Sequence, residues 1–106
     1  MSSLNVAVVG ATGLVGRKMV QVLEERRFPV DELRLLASAR SAGRSIKFNG
    51  KEYPVRKLEA RSFEGIKLAF FSAGASVSKE FAPAAVRSGA LVMTAAAWGS
   101  SLRRPG

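Results

Sequence analysis

The 106-residue sequence contains no cysteine and no histidine. Without thiols there is neither a disulfide nor a thiolate nucleophile, and without imidazoles the commonest general base near neutral pH is missing. The usual zinc sets, built from those two residue types, are excluded with them. No residue is nominated as catalytic or as a metal ligand. Long apolar runs are also absent: none approaches the roughly 18 to 20 residues that a membrane span requires, and no membrane partner is expected. The opening "MSSLNVAVVG" lacks the basic region and cleavage site of a secretory signal, so a cytoplasmic location is expected. Carboxylates are few, 8 against 17 Lys and Arg, for a net charge of +9. Such an excess suits a polyanionic partner. The cations come singly or in pairs, however, as in Arg17-Lys18, Arg26-Arg27, Arg56-Lys57 and Arg103-Arg104, with few aromatics between them. A solvated basic surface is expected, and no nucleic-acid partner.

What remains is the material of one soluble domain, 47% hydrophobic and with no internal repeat. Leu4 to Val9 is short, apolar and β-branched, as a strand covered on both faces of a parallel sheet would be. From Leu14 to Arg27 apolar residues recur at helical spacing, and the helix is expected to stop before Phe28-Pro29, because the residue preceding proline avoids the α region. "LRLLA", Leu33 to Ala37, reads as a second strand. In "IKFNGKEYPV" the Asn49-Gly50 pair between alternating segments predicts a hairpin with a type I′ turn. Ile66 to Phe71 is a further strand. A helix follows with Ser76 or Ser78 as its N-cap, Pro83 inside it and Gly89 at its stop, and Ala90 to Met93 forms a last strand. This order predicts an α/β fold: a Rossmann-like, doubly wound, mainly parallel sheet with a small hairpin excursion.

Three loops in this fold carry chemistry. Gly10, Gly13 and Gly16 stand between the first strand and its helix, in a G-x-x-G-x-x-G variant of the dinucleotide fingerprint. The first glycine permits the sharp turn, the second lets backbone approach a pyrophosphate, and the third lets the helix pack close to the strand. The free N–H groups of the helix start then face the phosphates. At the end of the second strand, where an NAD site usually carries a carboxylate for the ribose hydroxyls, the chain instead reads Ser38-Ala39-Arg40-Ser41. A guanidinium flanked by hydroxyls suits a 2′-phosphate, so the expected cofactor is NADP. "SAGAS", Ser72 to Ser76, is small enough for a flat cofactor to pass close to its backbone, and equally suits a plain turn.

Together the three loops resemble the aspartate-semialdehyde dehydrogenases of bacterial amino-acid biosynthesis. The stretch from "VAVVGATGLVGRKMV" through "LLASARSAGRS" is similar to that family's amino-terminal segment, and "LAFFSAGASVSKEFAPAAVRSGALV" continues it, so that residues 4 to 92 are covered. "GATGLVG" is shared with the acetylglutamyl-phosphate reductases, the alternative within the enzyme class; "ASARSAG" with "FFSAG" is more specific. From another class, a small basic nucleic-acid-binding module with a chance glycine turn is the alternative.

The resemblance implies a reversible, NADP-linked reduction of aspartyl phosphate to the semialdehyde and phosphate, in the route to lysine, threonine and methionine, by an enzyme that is a homo-oligomer at full length. It places Thr12, Gly13, Leu14 and Val15 along the pyrophosphate. Ser38, Arg40 and Ser41 fall at the 2′-phosphate, and Ser72, Ala73 and Gly74 at the cofactor's inner side. The family's catalytic cysteine and histidine lie in a second domain. Here "MTAAAWGSSLRRPG" follows instead, without the family's phosphate-holding arginine motif. Residues 1–92 are thus expected to be the NADP-binding domain and 93–106 an atypical, irregular tail, as a shifted frame or a truncation would give. The chain by itself is expected to be inactive.

Overall fold

The computed structural model describes residues 4–72 and 75–94. Its elements are β1 (Leu4–Val9), α1 (Leu14–Glu25), β2 (Val30–Ala37), β3 (Ser45–Phe48), β4 (Lys51–Lys57), a 3-10 turn (Ala60–Phe63), β5 (Leu68–Phe71), α2 (Ala75–Arg87) and β6 (Leu91–Thr94). The six strands form one sheet in the order β3-β4-β2-β1-β5-β6. Every neighbouring pair is parallel except β3 with β4. The chain thus winds outward from β1 to β2 and β4, then crosses to β5 and β6 on β1's other side, which is the doubly wound arrangement expected.

Period-two alternation along the strands divides the core into two layers. Val6, Val8, Leu33, Leu35 and Phe70 meet Met19, Val20 and Leu23 of α1, while Ala7, Val9, Leu36, Ala69 and Phe71 meet Phe63 of the 3-10 turn and Ala84 and Ala85 of α2. The hairpin is as expected: Asn49 and Gly50 both have positive φ, 53° and 79°, as a type I′ turn requires.

Other boundaries differ from the sequence expectation. Helix α1 ends at Glu25, before Arg27, and the stop is a Schellman motif in addition to the proline. Arg27 adopts a left-handed φ of 52°, its N–H donates to the Glu24 carbonyl, and the Phe28 N–H donates to the Leu23 carbonyl at 3.0 Å. Phe28 then packs on the same core cluster as Leu23. Strand β2 begins at Val30, because Leu4 pairs with it across an irregularity in register. Neither Ser76 nor Ser78 caps α2: the helix starts at Ala75, and both serines lie inside its first turn. Strand β6 runs from Leu91 through Thr94, so it begins one residue after Ala90, holds Met93 as the strand expectation has it, and takes Thr94 from the expected tail into the sheet. The rest of the expected tail lies outside the described residues.

Candidate functional site

The turn from β1 into α1 assigns each glycine a different cause. Gly10 has φ 82°, a conformation that side chains with a Cβ rarely adopt, and its N–H is tied to the Leu36 carbonyl at 2.8 Å. Gly16 is buried, and a Cβ there would stand 2.8 Å from the Ala11 Cα and collide with the Gly10 carbonyl. Close approach of helix to turn therefore requires glycine. Gly13 is under neither constraint: its φ is −77°, and a Cβ would rest 3.5 Å from the nearest atom, the Gly10 oxygen. The fold itself tolerates a side chain at Gly13.

Gly13 is also the N-cap of α1, and no side chain caps the helix or places a carboxylate in its first turn. The Arg17 N–H makes the first backbone bond, to the Gly13 carbonyl at 2.9 Å. The N–H groups of Leu14, Val15 and Gly16 thus have no helical acceptor, and with the helix dipole they form an electropositive end. Leu14 is 89% exposed. The side chains of Leu14 and Val15 border a shallow surface with Arg17 and Lys18, so only their main chain belongs to the anion-facing end.

Beside this turn an open cleft of about 340 Å3 lies at the carboxyl ends of β1, β2 and β4. It brings together Gly10, Thr12, Ser38 and Ser41, all proposed from sequence, although 28 positions separate Gly10 from Ser38. The remaining wall is apolar: Val9 and Ala37 at the strand ends, Leu58 after β4, and Val77 and Phe81 from α2. Those five were not singled out in the sequence. Val77 and Phe81 lie four apart on α2 and also pack against the core cluster on that face of the sheet. Among the described residues no carboxylate lines the cleft.

The loop after β2 is pinned to the sheet, with Ser41 and Ala42 N–H groups both donating to the Ser38 carbonyl at 3.0 Å and the Gly43 N–H to Val55. Arg40, within that turn, is exposed, makes no side-chain bond among the described residues, and stands outside the cleft lining. Ser72 is half-buried, and its hydroxyl donates to the Val9 carbonyl oxygen at 2.6 Å, with the Gly10 oxygen at 3.2 Å. This side chain fastens the end of β5 to the glycine turn. Ala73 and Gly74 lie outside the described residues.

A glycine turn, an open helix start and an uncharged cleft at the carboxyl ends of a doubly wound parallel sheet define a dinucleotide-binding domain. A family model described as "Semialdehyde dehydrogenase, NAD binding domain" matches residues 5–98, and the chain belongs to that family. The match runs past residue 92, where the sequence resemblance was expected to stop. Aspartate-semialdehyde dehydrogenase of Aquifex aeolicus is 56% identical over 95 residues, covering 88% of this chain and 28% of the relative. Aspartate semialdehyde dehydrogenase II of Vibrio cholerae, in a structure with ASA, superposes with a TM-score of 0.85 at 47% identity, over 88% of this chain and 30% of that one. The enzyme of Candida albicans with NADP shares the fold, at a TM-score of 0.68 and 24% identity. The chain thus spans less than a third of the length of these relatives and corresponds to their amino-terminal nucleotide-binding part.

Proposed function

We propose that this chain holds NADP(H) as the cofactor-binding part of an aspartate-semialdehyde dehydrogenase. The observation that carries this reading is Gly13, a bare position at an uncapped helix start that the fold does not require to be glycine. A pyrophosphate there would take the space a Cβ would fill and accept hydrogen bonds from the Leu14, Val15 and Gly16 N–H groups. The cleft fits the adenosine half: Leu58, Val77 and Phe81 offer apolar surface to a flat base, while Ser38 and Ser41 offer hydroxyls to the ribose and its phosphate. Arg40, with no competing partner among the described residues, supplies the charge for a 2′-phosphate. The absence of a carboxylate from the lining removes the group that would repel it. The bound cofactor supplies the hydride of the family's reaction. The thiolate and imidazole that such a reaction also needs have no counterpart in this sequence, so the chain alone binds without turnover.

Calorimetric titration with both cofactors tests the reading. Arg40→Ala is expected to weaken NADP binding by about 1.5 to 3 kcal/mol, the scale of hydrogen bonds to a charged group, and to leave NAD nearly unchanged. Equal losses for the two cofactors would remove Arg40 from the 2′-phosphate site.

A further inference from the structure

The free N–H groups at the start of α1 are aimed by the turn ahead of them, and within that turn by the Gly10 carbonyl. This oxygen accepts the Gly13 N–H at 3.1 Å, and Gly16 packs so closely upon it that a Cβ there would collide. Its position therefore sets both Gly13, the bare N-cap, and Gly16, one of the free donors. The two peptide planes that carry the turn, Val9–Gly10 and Gly10–Ala11, are gripped from strands on opposite sides of β1. Their N–H ends, on Gly10 and Ala11, both donate to the Leu36 carbonyl of β2, at 2.8 and 3.1 Å. Their carbonyl ends meet the Ser72 hydroxyl, just after β5, at 2.6 Å from the Val9 oxygen and 3.2 Å from the Gly10 oxygen. Because each peptide is planar, holding both of its ends stops the plane from rotating.

The surroundings of that hydroxyl decide what it can do. Its single proton is taken by the two carbonyls, so it has none to donate to a phosphate. It borders a crevice of about 10 Å3 walled in part by Val15, Met19, Phe70 and Met93, and it is not among the residues lining the dinucleotide cleft. A space of that size holds about one water and no part of a nucleotide. The carbonyls do not depend on the hydroxyl for a partner, since Val9 also accepts the Ser72 N–H at 2.9 Å and Gly10 the Gly13 N–H. Its removal leaves no acceptor without a donor, so the fold is expected to survive it.

We infer that Ser72 is a positioning residue for the dinucleotide: its hydroxyl locks the two peptides of the glycine turn from β5, so that the Leu14, Val15 and Gly16 N–H groups are already aimed when a pyrophosphate arrives. The role rests on the dinucleotide reading and acts through the turn, without contact to the ligand. The pyrophosphate is common to NADP and NAD, so loss of this preorganisation should weaken both alike, unlike the loss of Arg40.

The test is Ser72→Ala in the full 106-residue chain, with both cofactors titrated by calorimetry and amide hydrogen exchange followed by NMR in the free protein. Both affinities should fall about two- to tenfold, the scale of one hydrogen bond, with their ratio unchanged. Without cofactor, the Gly10 and Ala11 amides should exchange faster while those of residues 19–23, inside α1, keep the parent's protection, a pattern that a general loss of stability would not give. Ser72→Cys, close in volume but a weak donor, should move both readouts in the same direction and carries the test if the alanine variant does not fold. A folded variant with the parent's affinity for both cofactors would overturn the proposal, as would unchanged exchange at Gly10 and Ala11. A loss confined to one cofactor would overturn it in favour of direct contact with the ligand. A parent chain that binds neither cofactor would instead overturn the dinucleotide reading, and the positioning role with it.

Discussion

The two ends of α1 are finished in opposite ways. At the carboxyl end the fold closes the helix: Arg27 turns left-handed, two N–H groups recapture the Glu24 and Leu23 carbonyls, and Phe28 packs on the core cluster that holds Leu23. At the amino end nothing is closed. Gly13 caps without a side chain, no carboxylate answers the dipole, and Leu14 stands in solvent. One helix, in one sequence, thus has an end completed by the fold and an end left for something else to complete. The free N–H groups at that end, beside a cleft walled by residues from three strands and α2, are what a bound anion would satisfy.

Gly16→Val should have the largest effect, since it breaks the open end from within the fold. The new side chain would drive into the Gly10 carbonyl and the Ala11 backbone, which have no rotamer to relax into. A cost of about 3 kcal/mol or more is expected, a large part of the roughly 5 to 15 kcal/mol available to a domain of this size. Urea unfolding followed by circular dichroism measures it, and a midpoint near that of the parent would mean that the turn is looser than described. Gly13→Val, three residues earlier, should separate ligand from fold. Its Cβ has room, so stability should change by about 1 kcal/mol at most, while NADP and NAD binding should both fall below detection. Unaltered NADP affinity in a folded Gly13→Val chain would leave the helix start with no ligand to account for it.

Much of the open end was legible in the sequence, because glycine is read through what it permits. The spacing of Gly10, Gly13 and Gly16 behind an apolar run located the turn, and the structure separates the three by cause: conformation at Gly10, packing at Gly16, and open space at Gly13. Asn49-Gly50 was equally explicit, since few pairs suit two consecutive positive φ values. The closed end was only half legible. Pro29 announced a stop, but the left-handed residue that makes it is an arginine, which carries no sequence signature for that conformation. The cleft wall was not legible at all. Leu58, Val77 and Phe81 look like core residues at helical or strand positions, and only the β4-β2-β1 order and the placement of α2 turn them toward a shared cleft. The start of α2 was not legible, because Ser76 and Ser78 are good caps by type, whereas the helix already begins at Ala75. The hydroxyl of Ser72, a residue that the resemblance places at the cofactor's inner side, is bonded to the main chain of Val9, a contact with no signal in the sequence.

The smallest expected effect sharpens the contrast from the closed end. Arg27 holds φ at 52°, where an L side chain costs about 1 to 2 kcal/mol and glycine costs nothing sterically. Its charge, near the negative end of the helix, offsets part of that by about 0.3 to 1 kcal/mol. A single substitution therefore mixes two effects, and the informative measurement is a pair. Arg27→Ala removes the charge and keeps the Cβ; Arg27→Gly removes both. On helix propensity alone the alanine variant would be the more stable, because glycine is the poorer helix former. The Schellman geometry predicts the reverse, with the glycine variant ahead by about 0.5 to 1 kcal/mol, or a few degrees in Tm. Thermal melts of both variants decide between these orders, and an alanine variant as stable as the glycine one would mean that Arg27 is not held left-handed in solution. Neither variant should alter NADP binding. Arg27 lies at the far end of α1 from the free N–H groups, and the end that the fold completes has no part in the one the ligand completes.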